Sequence, residues 1–128
     1  MRKQLLIMDD DPEIAEQIRV ILAPRYDVVA VTDDAKALLR FAESHRPDAA
    51  LLDISMPGIS GFAVAGLLRA TLPTIKIIFV TQHAARDYIE AAQRAGATGY
   101  VWKRKMSDDL GPAVEAVLSG GQYTSPSL

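Results

Sequence analysis

Polar residues able to do chemistry sit where the apolar stretches of this chain end. Asp9, Asp10 and Asp11 follow Leu5-Leu6-Ile7-Met8, and Asp53 follows Ala49-Ala50-Leu51-Leu52. Thr81 closes the run from Ile75 to Val80, and Lys103 closes Gly99-Tyr100-Val101-Trp102. Carboxylates brought within a few ångströms repel one another and raise each other's pKa unless a cation lies between them. A hard oxygen site with one or two carboxylates suits Mg²⁺, which also takes phosphate oxygens as ligands. Asp53 stands alone while Asp9 and Asp10 are paired, which divides a nucleophile from metal ligands. A carboxylate can attack a phosphoryl group and form an aspartyl phosphate. Mg²⁺, Lys103 and the Thr81 hydroxyl would then neutralise the equatorial phosphoryl oxygens.

Each residue alone has a plainer reading. Asp10 and Asp11 before Pro12 suit helix caps, Asp53 before Met56-Pro57-Gly58 suits a turn, and Thr81 suits a strand end. Lys103-Arg104-Lys105 is an ordinary solvated charge run, and Tyr100 and Trp102 are ordinary packing aromatics. His45 and His83 have no partner at metal-ligand spacing and read as surface residues. The agreement of four strand ends carries the argument.

Those ends must be brought together by the elements between them. The apolar runs, with Val28-Val29-Ala30-Val31 as the second, are mostly continuous, as expected for strands covered on both faces. Between them Ile14, Ile18, Ile21 and Leu22 recur at helical spacing, as do Ala35, Leu38, Leu39 and Ala42. Val64, Leu67 and Leu68, then Tyr88, Ala91, Ala92 and Ala95, and finally Leu110, Val114, Val117 and Leu118 complete five helices. Asp10-Asp11, Ser60 and Ser107 mark helix starts, and Pro24, Pro47, Pro73, Gly96 and Gly120-Gly121 mark stops. Five alternating strands and helices cannot close an eight-stranded barrel, so right-handed crossovers predict an open, doubly wound α/β sheet. Ligands of such sheets bind at the carboxyl ends of the strands.

Composition narrows the function further. The 128 residues are 49% hydrophobic and 23% charged, with 14 Lys+Arg against 16 Asp+Glu and no cysteine. That length suits one domain. A disulfide framework, a thiolate nucleophile and Cys-ligated zinc are excluded. The formal charge of -2 lacks the bulk positive field of a nonspecific nucleic-acid binder. No apolar run approaches a bilayer-spanning length, and no signal-like start is present, so the expected location is cytoplasmic, without membrane contact.

Several separated motifs together resemble the receiver domain of two-component response regulators. They are Leu5 to Pro12, Asp48 to Gly61, Ile78-Phe79-Val80-Thr81, and Ala95 to Lys103, within a similarity running from about Lys3 to Gly121. The resemblance implies a flavodoxin-like fold, with a five-stranded parallel sheet of order 2-1-3-4-5 and five helices. It implies that Asp53 accepts a phosphoryl group from a sensor histidine kinase or phosphotransfer protein. Asp9, Asp10, Asp53 and the main-chain carbonyl of Ser55 would hold Mg²⁺, and Thr81 and Lys103 would engage the phosphoryl oxygens. Tyr100 would change rotamer as Thr81 moves inward, with the face of the fourth helix, fifth strand and fifth helix as readout. Such a chain is a phosphoacceptor switch with no external substrate to turn over. The stretch from Ala116 to Pro126 resembles receivers of the NarL/FixJ type, which implies a receiver over residues 1–121 and the start of a linker at 122–128. DNA would be bound only through a C-terminal helix-turn-helix domain beyond these residues. A homodimer is expected, through the readout face or through the first and fifth helices.

Two positions depart from the commoner pattern. Gln82 stands where a small residue usually leaves a channel to the acceptor, and is expected to narrow access to Asp53 and slow phosphorylation or hydrolysis. Arg104 follows Lys103 where proline is common, so a trans bond and a looser loop are expected. A second reading is a receiver that signals by protein contact without phosphorylation. A small-molecule phosphatase of the haloacid-dehalogenase pattern would want an Asp two residues after the nucleophile, where this chain has Ser55.

Overall fold

A computed structural model describes residues 2–128. The domain start expected at residue 1 therefore lies outside the described residues. Strands β1 (Gln4–Met8), β2 (Asp27–Thr32), β3 (Ala49–Leu52), β4 (Lys76–Thr81) and β5 (Gly99–Trp102) alternate with helices α1 (Pro12–Leu22), α2 (Ala35–His45), α3 (Gly61–Thr71), α4 (Arg86–Arg94) and α5 (Met106–Leu118). A short β6 (Tyr123–Thr124) follows. All pairings are parallel, in the order β2-β1-β3-β4-β5-β6. The expected α/β architecture and strand order are present, but the sheet has six strands where five were expected. The residues read as the start of a linker supply the sixth.

The continuous apolar runs have the predicted cause. Along β1, Leu5 and Ile7 enter a core with Leu51, Ile78, Val101 and the inner faces of α1 and α5. Leu6 and Met8 enter the opposite core, with Leu52, Phe79 and the inner faces of α2, α3 and α4. Successive strand side chains point to opposite faces, so a strand sandwiched between two helical layers must be apolar at every position. Each large core side chain truncated to alanine removes about 2–5 kcal/mol of stability, so the two layers hold the sheet rigidly beneath its rim.

Caps explain most helix starts. Asp11 accepts hydrogen bonds from the N–H groups of Glu13 at 3.0 Å and Ile14 at 3.4 Å, with Pro12 opening α1. Ser60 Oγ accepts from Ala63 N at 3.2 Å and starts α3. Ser107, expected to cap the fifth helix, lies inside it. A 3₁₀ turn at Lys103–Lys105 feeds the chain straight into α5 at Met106, so no side-chain cap is used. That turn also replaces the looser loop expected after Lys103, and no cis peptide occurs among the described residues.

Candidate functional site

Register sets the site. Met8 pairs with Leu52, so Asp9 and Asp53 emerge side by side from the carboxyl ends of β1 and β3, with Asp53 N–H donating to Met8 O at 3.1 Å. Thr81 pairs with Trp102, so the next residue of β5's continuation, Lys103, leaves the sheet at the same rim. Asp9 and Asp53 are buried, at 4% and 5% exposure, and Thr81 is fully buried.

Lys103 Nζ lies 2.9 Å from Asp9 Oδ2 and donates to Asp53 Oδ2 at 3.0 Å. Asp53 Oδ1 accepts from Ile54 N–H at 2.8 Å, and Asp9 Oδ1 accepts from Asp11 N–H at 2.9 Å. Asp9 Oδ2 is buried, and beyond that ammonium no group among the described residues donates to it. Burial pushes the Asp9 carboxyl up, and the Asp53 charge adds to it, against the pull of the Asp11 amide and Lys103. Burial also opposes the Lys103 charge, but the two carboxylates outweigh it and raise its pKa.

Carboxylate oxygens of Asp9, Asp10 and Asp53 lie within 4.8 Å of one another, with Asp10 exposed and the other two buried. Three acids against one ammonium leave a local charge of about -2 in a partly dry pocket. A buried carboxylate oxygen answered only by a shared ammonium, beside an excess of negative charge, fits a hard divalent cation. The acidic residues at this rim can bind a metal.

The close approach of α3 fixes the acceptor loop. Gly61 N–H donates to Ile54 O at 2.7 Å, and a Cβ at Gly61 would lie 2.0 Å from Asp53 O. Only glycine lets the helix start sit so near the end of β3. In the intervening loop Gly58 has φ of 83°, a left-handed turn position.

The other expected residues are placed less uniformly. Thr81 Oγ1 accepts from His83 N–H at 3.2 Å, and so is tied to the loop after β4. Tyr100 is buried and its hydroxyl donates to His83 O at 2.7 Å. Ser55 and Gln82 are exposed. His83, read from sequence as an unpartnered surface residue, is half-buried: its Nε2 lies 2.7 Å from Ser55 Oγ, and its ring stacks on Tyr88 at 4.0 Å. The partner is 28 residues away across two loops. Spacing along the chain held no sign of it.

The response regulator receiver domain family matches residues 5–115. The chain is 32% identical over 127 residues to the transcriptional regulatory protein DegU of Brevibacillus brevis, covering 98% of this chain and 54% of that protein. It is 30% identical over 127 residues to the response regulator GacA of Pseudomonas aeruginosa, covering 98% and 59%. It thus spans a little over half the length of these curated relatives. Among solved structures, a LuxR-family two-component response regulator from Aurantimonas sp. SI85-9A1 superposes with a TM-score of 0.92 at 30% identity, covering 99% of this chain and 92% of that one. The isolated REC domain of RcsB from Salmonella enterica serovar Typhimurium, in the presence of phosphomimetic BeF3-, gives 0.90 at 25% identity, with 99% and 96% covered. Agreement of family, relatives and superposition over nearly the whole chain places it among the receiver domains of two-component response regulators.

Proposed function

We propose that this receiver accepts a phosphoryl group on Asp53 and passes the change to an interaction face, acting as a phosphorylation-dependent switch. The observation that carries this reading is the bridge from Lys103 to Asp9 and Asp53 at one rim, where one ammonium serves two buried carboxylates. An Asp53 carboxylate oxygen attacks the phosphorus of a phosphohistidine on a sensor kinase or phosphotransfer protein. The O–P bond forms, the N–P bond breaks, and its electron pair returns to the imidazole nitrogen. Lys103 holds the acceptor in place and then faces the added charge, and Thr81 Oγ1 turns from His83 N–H toward the phosphoryl oxygens.

Asp9, Asp10, Asp53 and the Ser55 carbonyl would hold Mg²⁺, which when bound neutralises the phosphoryl oxygens as charge develops on them. Moving a two-state switch from 1:99 to 99:1 takes about 5.5 kcal/mol of differential interaction. A few charge-assisted hydrogen bonds at about 1.5–3 kcal/mol each supply that amount. Tyr100 carries the change to the face of α4, β5 and α5, where a homodimer or an output domain reads it. The relatives named as transcriptional regulators support transcription as the output, with DNA bound by a domain beyond residues 122–128. Among the described residues no helix is long and apolar enough to cross a membrane, in keeping with a cytoplasmic location. Gln82 tunes entry to the acceptor, and the phosphoryl group is lost by the domain's own hydrolysis.

Intact mass after incubation with acetyl phosphate tests the reading. The wild type is expected to gain one phosphoryl group only with Mg²⁺ present, and Asp53→Asn to gain none. An adduct that persists in Asp53→Asn, or forms equally in EDTA, overturns the assignment.

A further inference from the structure

Beyond α5 the chain turns at Gly120 and runs back along the outer edge of β5. Tyr123 and Thr124 pair with Gly99 and Tyr100. Ser125, 1% exposed, donates its N–H to Tyr100 O at 2.9 Å, and its hydroxyl accepts Trp102 N–H at 2.9 Å. The Tyr123 hydroxyl donates to Asp109 on α5 at 3.1 Å, and Leu128 packs against the core beneath α2, α3 and α4. Seven residues are thus tied down at separate points without a helix or long strand of their own.

The β5 residues held by this segment adjoin the chemistry. Tyr100 reaches across to His83 O, and His83 N–H is held by Thr81 Oγ1, so both ends of one loop residue are tied to the site. Trp102 immediately precedes Lys103, whose ammonium holds Asp9 and Asp53. Tyr100, Tyr123 and Thr124 also line one small cavity beside α4. Tyr100 thus accepts the strap's Ser125 N–H on its carbonyl while its hydroxyl holds the loop after β4, so one residue touches both. A two-residue strand with a handful of hydrogen bonds belongs to the low-stability end of the molecule, where small biases change populations.

We propose that Gln122–Leu128 is an intramolecular strap whose docking on β5 is linked to phosphoryl occupancy of the Asp53 site through the backbone of Tyr100 and Trp102. The proposal rests on the phosphoacceptor reading above. Occupancy tightens the strap, and by reciprocity a loosened strap weakens occupancy by the same factor. The strap is thereby the route by which the state of the rim reaches the chain beyond α5.

The test uses the full 128-residue chain with beryllofluoride and Mg²⁺ as the probe, binding being followed by fluorescence of Trp102, the sole tryptophan. Amide hydrogen exchange of Ser125 and Trp102 is expected to slow about fivefold or more when the probe binds. Ser125→Ala is expected to weaken probe binding by a matching factor, and Tyr123→Phe, which loosens the strap from α5 alone, to weaken it in the same direction. Probe binding with unchanged exchange, or unchanged affinity in both variants, overturns the strap and leaves the phosphoacceptor reading standing. Absence of probe binding in the wild type overturns that reading and the linkage with it.

Discussion

Asp9 is the most burdened residue of the rim, buried beside a second carboxylate with which it shares one ammonium. Without a divalent cation, burial weighs against its charge more than Lys103 and the Asp11 amide favour it. Asp9→Asn keeps an acceptor for Asp11 N–H and removes that charge. It is expected to melt higher than the wild type in EDTA at pH 7, by about 1–2 kcal/mol, and to lose the stabilisation that Mg²⁺ gives the wild type. Thermal melts in EDTA and in Mg²⁺ check both parts, and a variant less stable in EDTA would mean that the ion pair wins.

Tyr100 offers a pH signature. Burial, helped by Tyr88 and Asp87, pushes its phenol from 10.0 up to about 12. The folded state therefore favours the neutral phenol, so this group's contribution is fully present below pH 10 and is lost as pH rises from about 10 to about 12. About two units correspond to roughly 2–3 kcal/mol. Alkaline melts of wild type beside Tyr100→Phe should show a shallower fall for the variant across that window, and identical slopes would remove Tyr100 as the cause.

Among the elements, the start of α3 has the least freedom. Gly61→Ala sets a methyl against Asp53 O, so helix and acceptor loop must separate. The expected cost is about 1–3 kcal/mol of stability, with slower phosphoryl uptake from acetyl phosphate because Asp53 shifts. Melting temperature and the mass assay measure the two effects on one sample. Most elements were legible because burial on both faces writes itself as unbroken apolar runs, as in Leu5–Met8 and Ala49–Leu52. The acidic rim was legible because every strand end falls on one side of a parallel sheet. β6 was not: two residues are too few for a period, and Ser125 owes its burial to Tyr100 and Trp102, distant in sequence. The start of α5 escaped because a 3₁₀ turn satisfies its first turn where a capping side chain was expected. His83 escaped because its partner, Ser55, lies in another loop.

For the molecule as a whole, strand order has a consequence for assembly and solubility. From β1 onward β3, β4, β5 and β6 are added in turn on the same side of the sheet, so each new strand covers the edge its predecessor left open. The last cover, Tyr123–Thr124 with Ser125 behind it, is the shortest. If it lifts, the amides and carbonyls of β5 become a template for strand addition from another copy. Ser125→Ala is expected to scatter more light than wild type on concentration or gentle heating, while far-ultraviolet dichroism stays native, and equal scattering would show that the edge is guarded by other means. More scattering from the variant would make Gln122–Leu128 a guard over the β5 edge, with β2 as the sheet's other boundary.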